Sequence, residues 1–254
     1  YEAIGVKNPG GDYNQLGTTL LQIENEFYGT IRPKRVIMPG ERPLHALRER
    51  GVEYVEVRLM DLDPFVPVGI TAATMRFIDV FLLHCLLADS PPDTPAEIAA
   101  LGRNQHRTAA SGREPGLMLE RNGEQIALMD WAQELVDQCA PIAAAMDAAN
   151  GGALYAEAVA AAKHSLQHPD TLPSARVLAS VTNDFDKSFV GFIRAQSAKT
   201  REALLALPFT SDQQTRFEQM TTKSVAEQKE IEANDTMPFE IYRQQYVSAA
   251  RLNV

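Results

Sequence analysis

Hydrophobic and polar positions change period along this chain. From Val52 to Met60 they alternate, so Val55, Val57 and Leu59 fall on one face of an extended segment and Glu56 and Arg58 on the other. Alternation also runs from Leu21 to Tyr28, interrupted by Asn25, within a segment from Gln15 to Tyr28. Leu21, Ile23 and Phe27 lie on one side there, and Gln22, Glu24, Glu26 and Tyr28 on the other. Both segments are predicted strands, with Gly and Pro punctuation at Pro9-Gly10-Gly11 and Pro39-Gly40. Pro43 to Arg50 predicts a short helix between them, closed by Gly51.

From about Thr71 the pattern turns helical. Thr71 caps a predicted helix running to about Ala88, which Pro91-Pro92 stops. Asp93 or Thr94, with Pro95 and Glu97, starts the next. Met129 to Asn150 follows, ended by Gly151-Gly152, and then Ala153 to Leu166, Pro173 to Val181, Lys187 to Leu207 and Asp212 to Ala233. Thr236 and Pro238 open a last helix to about Ala250, while Arg113 to Gly123 is predicted to be an ordered loop. The pattern alone supports some strands followed by many helices.

Composition narrows the function classes. With 254 residues and 45% apolar content, the chain can bury a core without disulfides or structural metal. A net charge of −9 argues against binding a nucleic-acid backbone, which needs a basic face. No stretch reaches the roughly 18 apolar residues of a membrane span, and no signal peptide is visible. Phe77 to Ala88, broken by Asp79 and His84, predicts a buried helix. Cys85 and Cys139 sit among apolar residues and are expected to be buried thiols in a reducing compartment. A start at Tyr1 in place of Met suggests a fragment or a processed chain.

Three clusters bear candidate chemistry. Glu56 and Arg58 share a strand face, which suits a solvated surface. It equally suits a carboxylate holding a hard cation beside a guanidinium that neutralises a transferring phosphoryl group. The row Gln22, Glu24, Glu26, Tyr28 is either a wet strand face or the lining of a polar cleft. Arg32, Lys34 and Arg35 form the dense basic cluster of an acidic chain, fit for a polyphosphate or simply a charged surface. The five histidines show no HExxH spacing, and neither GxxxxGK[ST] nor GxGxxG occurs.

Taken in order, the stretches Leu-Gln-Ile-Glu-Asn-Glu-Phe-Tyr at 21–28, Ile-Arg-Pro-Lys-Arg at 31–35, Val-Glu-Tyr-Val-Glu-Val-Arg at 52–58 and Asp-Leu-Asp-Pro-Phe at 61–65 resemble the glutamate–cysteine ligases of the bacterial (proteobacterial) class. So do Arg-Phe-Ile-Asp-Val-Phe at 76–81, Gly-Arg-Glu-Pro-Gly-Leu at 112–117 and Ser-Ala-Arg-Val-Leu at 174–178. The resemblance covers nearly the whole chain, and it corresponds to the C-terminal half of the family's length.

It implies an α+β fold in which residues 1–70 supply strands of a glutamine-synthetase-like antiparallel sheet and residues 71–254 form helices packed behind it. It also implies a cytoplasmic, ATP- and Mg²⁺-dependent enzyme that joins cysteine to the γ-carboxylate of glutamate for glutathione synthesis. On this resemblance Glu56 holds magnesium, Arg58 meets the transferred phosphoryl group and Tyr28 lines the cysteine pocket. Arg32 and Lys34 are assigned to ATP phosphates by their charge. The remaining ligands belong to an N-terminal half in the same or another chain, so the fragment alone is expected to be inactive. Two other readings stay open: a related carboxylate–amine ligase with another acceptor, and a non-catalytic helical interaction module.

Overall fold

Among the described residues helices predominate, and two small antiparallel sheets complete an α+β architecture. The structure is a computed structural model that describes residues 11–13, 15–17, 21–23, 26–38 and 40–248. Pro9, Gly10, Glu24, Asn25, Pro39 and the expected helix end at Ala249 and Ala250 lie outside the described residues. Chain contacts group into two units, Tyr1–Asp61 with Pro208–Val254, and Leu62–Leu207.

In the first unit β1 (Ile31–Lys34) pairs antiparallel with β2 (Tyr54–Val57), placing Arg32 opposite Glu56 and Lys34 opposite Tyr54. The connection runs through α1 (Pro43–Arg50), which opens on proline and ends at Gly51, whose φ of +72° suits only a residue without Cβ. Arg50 ties this connection down. Its guanidinium donates to both Glu41 oxygens at 2.8 Å and to the Val36 carbonyl at 2.9 Å. Glu53 accepts from the Val36 N–H at 3.1 Å and pairs with Arg35 at 3.6 Å. These contacts fix where β2 begins against β1, and register decides which side chains share a face.

The unit is completed by α8 (Ser211–Asn234) and α9 (Phe239–Tyr246). Arg42, 7% exposed, donates to the Tyr246 carbonyl at 3.4 Å and lies over that ring at 5.1 Å. Arg243 lies over the Tyr13 ring at 4.9 Å and donates to the Leu16 carbonyl at 3.4 Å. Guanidinium groups thus bind α9 both to the start of α1 and to the segment around Tyr13.

Of the strand expected from Gln15 to Tyr28, the described residues form none and are mostly bends. Gln15 donates to the Gly17 carbonyl at 2.7 Å, Gln22 accepts from the Gly17 N–H at 3.3 Å, and Glu26 accepts from the Gln22 N–H at 2.9 Å. Polar side chains here satisfy local backbone groups that a ladder would otherwise use.

The second unit is built on α2 (Ala72–Leu87), α4 (Leu128–Asn150) and α5 (Leu154–Gln167). Val80, Val136, Cys139, Ala143 and Val159 form their shared core, flanked by Phe77, Phe81 and Met146. Thr71 caps α2 by accepting from the Thr74 N–H at 3.1 Å. Beside them, α3 (Pro95–Ser111) supports a hairpin of β3 (Met118–Arg121) and β4 (Glu124–Ala127). The hairpin replaces the end of the expected loop. It turns at Asn122 and Gly123 with φ of 54° and 82°, both left-handed, which is what a two-residue turn between twisted strands requires.

After a short 3₁₀ turn come α6 (Pro173–Asn183) and α7 (Phe189–Leu205). Phe192, 1% exposed, anchors this part against Phe65 at 5.8 Å and edge-on Phe185 at 5.7 Å. Two expectations for α2 need correction. Leu86 and Leu87 are 77% and 72% exposed, so its last turn is not buried, and Cys85 is exposed while only Cys139 is in the core.

Candidate active site

Antiparallel pairing sends Arg32 and Lys34 of β1 to the same face as Tyr54 and Glu56 of β2, because opposite residues share a side and the period along each strand is two. Arg58 continues that face just past β2, its N–H donating to the Thr30 carbonyl at 2.8 Å. The register therefore gathers three cations and one carboxylate within a few residues of strand.

The side chains contact one another in a chain. Arg58 Nε donates to Glu56 Oε2 at 3.0 Å, and Lys34 Nζ stands 3.9 Å from the same oxygen. The Arg58 guanidinium lies over the Tyr28 ring, 5.5 Å from its centroid. Arg32 faces Glu56 across the pair and donates to the Phe27 carbonyl, which ties the segment before β1 to the strand. The five residues given roles from the sequence, Tyr28, Arg32, Lys34, Glu56 and Arg58, thus lie in one patch, whereas Arg35 pairs with Glu53, Gln22 and Glu26 accept from local backbone N–H groups and Glu24 lies outside the described residues. Tyr54 was not singled out. It shares the face opposite Lys34 and was legible from the same alternation, two residues before Glu56.

The patch faces outward, with side-chain exposures of 39% for Glu56, 26% for Arg58 and 33% for Lys34. The Arg58 hydrogen bond is the leading cause that holds the Glu56 carboxyl below the usual carboxylate range, with the charges of Arg58, Lys34 and Arg32 adding to it against partial desolvation. Glu56 is therefore ionised at neutral pH, and the four charges sum to +2 (three cations, one anion). Exposed ion pairs contribute little to stability. The arrangement is better read as a preorganised anion-receiving surface in which Glu56 fixes where the guanidinium sits.

Among the described residues no group of three or more His, Cys, Asp or Glu side chains converges to hold a metal. Glu56 has the donor chemistry that Mg²⁺ takes, a hard ionised oxygen, and would serve as one ligand beside phosphate oxygens and water. The apolar groove of about 410 Å³ in the second unit, lined by Leu83, Leu87, Pro141, Ile142, Met146 and Asn150, offers almost no polar surface and does not suit this chemistry.

Residues 1–108 match the family profile described as glutamate-cysteine ligase. The glutamate–cysteine ligase of Janthinobacterium sp. (strain Marseille) is 45% identical over 97% of this chain and 46% of its own length. That of Bordetella parapertussis is 44% identical over 99% of this chain and 47% of its own. The crystal structure of the Francisella tularensis glutamate–cysteine ligase, in complex with AMP, superposes with a TM-score of 0.89 at 33% identity, covering 100% of this chain and 50% of that one. The chain spans about half the length of these relatives. It is related, along nearly its whole length and in its fold, to the glutamate–cysteine ligases of proteobacteria.

Proposed function

We propose that this chain carries the phosphoryl-handling strands of an ATP-dependent glutamate–cysteine ligase. The observation that carries the reading is the single patch in which Glu56 orients Arg58 beside Lys34 and Arg32. The reaction activates one anion with another. The γ-carboxylate of glutamate attacks the terminal phosphorus of ATP and ADP leaves, giving γ-glutamyl phosphate. The cysteine amine then attacks the acyl carbon, loses a proton and expels phosphate, leaving γ-glutamylcysteine.

Two like charges must meet in the first step, so positive groups have to be in place beforehand. Arg58 offers planar, paired donors to the equatorial oxygens of the passing phosphoryl group. Arg32 and Lys34 stand two residues apart on β1 and hold the remaining phosphates. Bound Mg²⁺ supplies charge neutralisation at the phosphate oxygens, and Glu56 is the residue here that would hold it. Tyr28, 81% exposed and under the Arg58 guanidinium, borders the pocket for the incoming amine. No protein nucleophile is needed.

On this reading residues 1–70 contribute strands to a larger glutamine-synthetase-like catalytic sheet, and residues 71–254 form the helical support. The remaining contacts to glutamate, cysteine and ATP come from the polypeptide that the relatives carry beyond this span, an N-terminal half in the same or another chain. No helix among the described residues is long and apolar enough to cross a membrane. On the ligase reading the protein works in the cytoplasm. The test is product formation by the assembled protein, scoring ADP and γ-glutamyl dipeptide with glutamate, ATP and a panel of amino acids. Cysteine is expected to be the preferred acceptor. Preference for another amine would make the protein a different carboxylate–amine ligase, and ADP release independent of glutamate would remove the reading altogether.

A further inference from the structure

Helix α8 has no buried residue along its length. All of its 24 residues are exposed, including Phe217 at 48%, Met220 at 52% and Ile231 at 70%. Its start is well made: Thr210 and Gln213 form a reciprocal capping box, and Phe209 meets Phe217 at 5.5 Å. Beyond that first turn none of its residues is buried. Helices in water draw most of their stability from packing one face, so a helix of this length that keeps Phe217, Met220, Val225 and Ile231 exposed calls for a partner.

The face that would take the partner can be read from spacing. Phe217, Met220, Thr221, Ser224, Gln228 and Ile231 recur at steps of three and four and share a stripe about 100° wide. Every charged residue of the helix, from Asp212 and Arg216 to Glu230 and Glu232, falls outside that stripe. An uncharged band with Phe217 and Met220 towards one end, Ile231 at the other and polar Thr221, Ser224 and Gln228 between them is a shape that packs against a second helix, with Val225 at its margin.

We propose that this stripe of α8 is the docking face for the polypeptide that the relatives carry beyond the present span. The relatives hold about as much chain again, and that chain needs a surface. A stripe with no charge of either sign suits permanent burial better than a reversible encounter between charged surfaces. The inference rests on the proposed ligase reading, in which the same polypeptide completes the active site.

The experiment uses the chain assembled to the relatives' full length, with that polypeptide joined or co-expressed. A photo-cross-linking benzoylphenylalanine replaces Phe217 or Ile231, and cross-linked peptides are identified by mass. In the unaltered assembly, oxidation of Met220 by hydroxyl radicals is followed in parallel, so that a misfolded variant cannot mislead. Cross-links into the added polypeptide, with Met220 oxidised at least about tenfold more slowly than in the chain alone, are the expected result. Cross-links to a second copy of this chain, cross-links confined to residues 1–254, or Met220 oxidised as fast as in the chain alone would each overturn the proposal. Activity separates the two readings. Correct cross-links without ligase turnover would sink the ligase reading and leave the docking face, while full turnover with α8 uncovered would do the reverse.

Discussion

Asp147 caps a helix that is not its own, and removing it gives a sharp energetic test. It sits on α4 at 8% exposure, and its two oxygens accept from the N–H groups of Tyr155 at 3.0 Å and Ala156 at 2.9 Å in the first turn of α5. The N-cap of α5 is Ala153, which has no side chain to offer those donors. Asp147→Ala therefore strands two backbone N–H groups at the join of α4 and α5. A hydrogen bond to a charged acceptor contributes about 1.5–3 kcal/mol, and loss of a cap alone costs about 0.5–2 kcal/mol. These estimates overlap rather than add, which gives about 2–4 kcal/mol for the alanine variant. Asp147→Asn keeps one acceptor and loses the charge facing the positive end of α5, so about 1 kcal/mol is expected. Urea unfolding followed by helical circular dichroism reads the total, and hydrogen exchange at Tyr155 and Ala156 reads the local loss. A change under about 0.5 kcal/mol for Asp147→Ala, the range of ordinary surface substitutions, with unaltered exchange at both amides, would refute the reasoning.

Three further outcomes follow. Asn104, 7% exposed on α3, donates to the Glu120 carbonyl at 2.7 Å and accepts from its N–H at 2.8 Å, closing the free edge of β3 as a strand would. Asn104→Ala is expected to cost about 1.5–3 kcal/mol and to speed exchange of the Glu120 amide; unchanged exchange would count against it. Glu240 is held down to about 2, chiefly by its hydrogen bonds from Arg243 and then Gln244. A lowered folded pKa gives stability that is present above the unfolded value of 4.5 and lost as pH falls towards about 2. Acid unfolding monitored across that window should therefore lose this contribution, and Glu240→Gln should flatten the slope there; parallel curves would remove Glu240 from the account. In the assembled enzyme Glu56→Gln should raise the Mg²⁺ concentration needed for half-maximal turnover by about tenfold or more, whereas an identical metal titration would exclude Glu56 as a ligand.

The helices were legible because their ends carry their own chemistry. Thr71, Thr94, Ser188 and Thr210 accept from backbone N–H groups three residues on, and Gly51 and Gly151 end helices with positive φ. Of these, neither Ser188 nor Thr210 is read from the sequence, where the two helices are expected to open at Lys187 and Asp212; Lys187 instead stands in a left-handed turn with Asp186. The alternation at 52–60 led to β2 and to the Glu56–Arg58 pairing. The same pattern at 15–28 misled, because period two describes a strand only where partner backbone is available, and Gln15, Gln22 and Glu26 took those groups instead. The β3–β4 hairpin was overlooked although Asn122-Gly123 announces it, since the strands beside that turn are only four residues long.

The central claim is that Arg58, oriented by Glu56, carries the charge of phosphoryl transfer. Steady-state turnover of Arg58→Ala, with saturating ATP, glutamate and cysteine in the assembled enzyme, measures it most directly. The account predicts a fall in kcat of about 10³-fold or more, not restored by Arg58→Lys, because an ammonium lacks the planar paired donors. A kcat for Arg58→Ala within about twofold of the unaltered enzyme would contradict it.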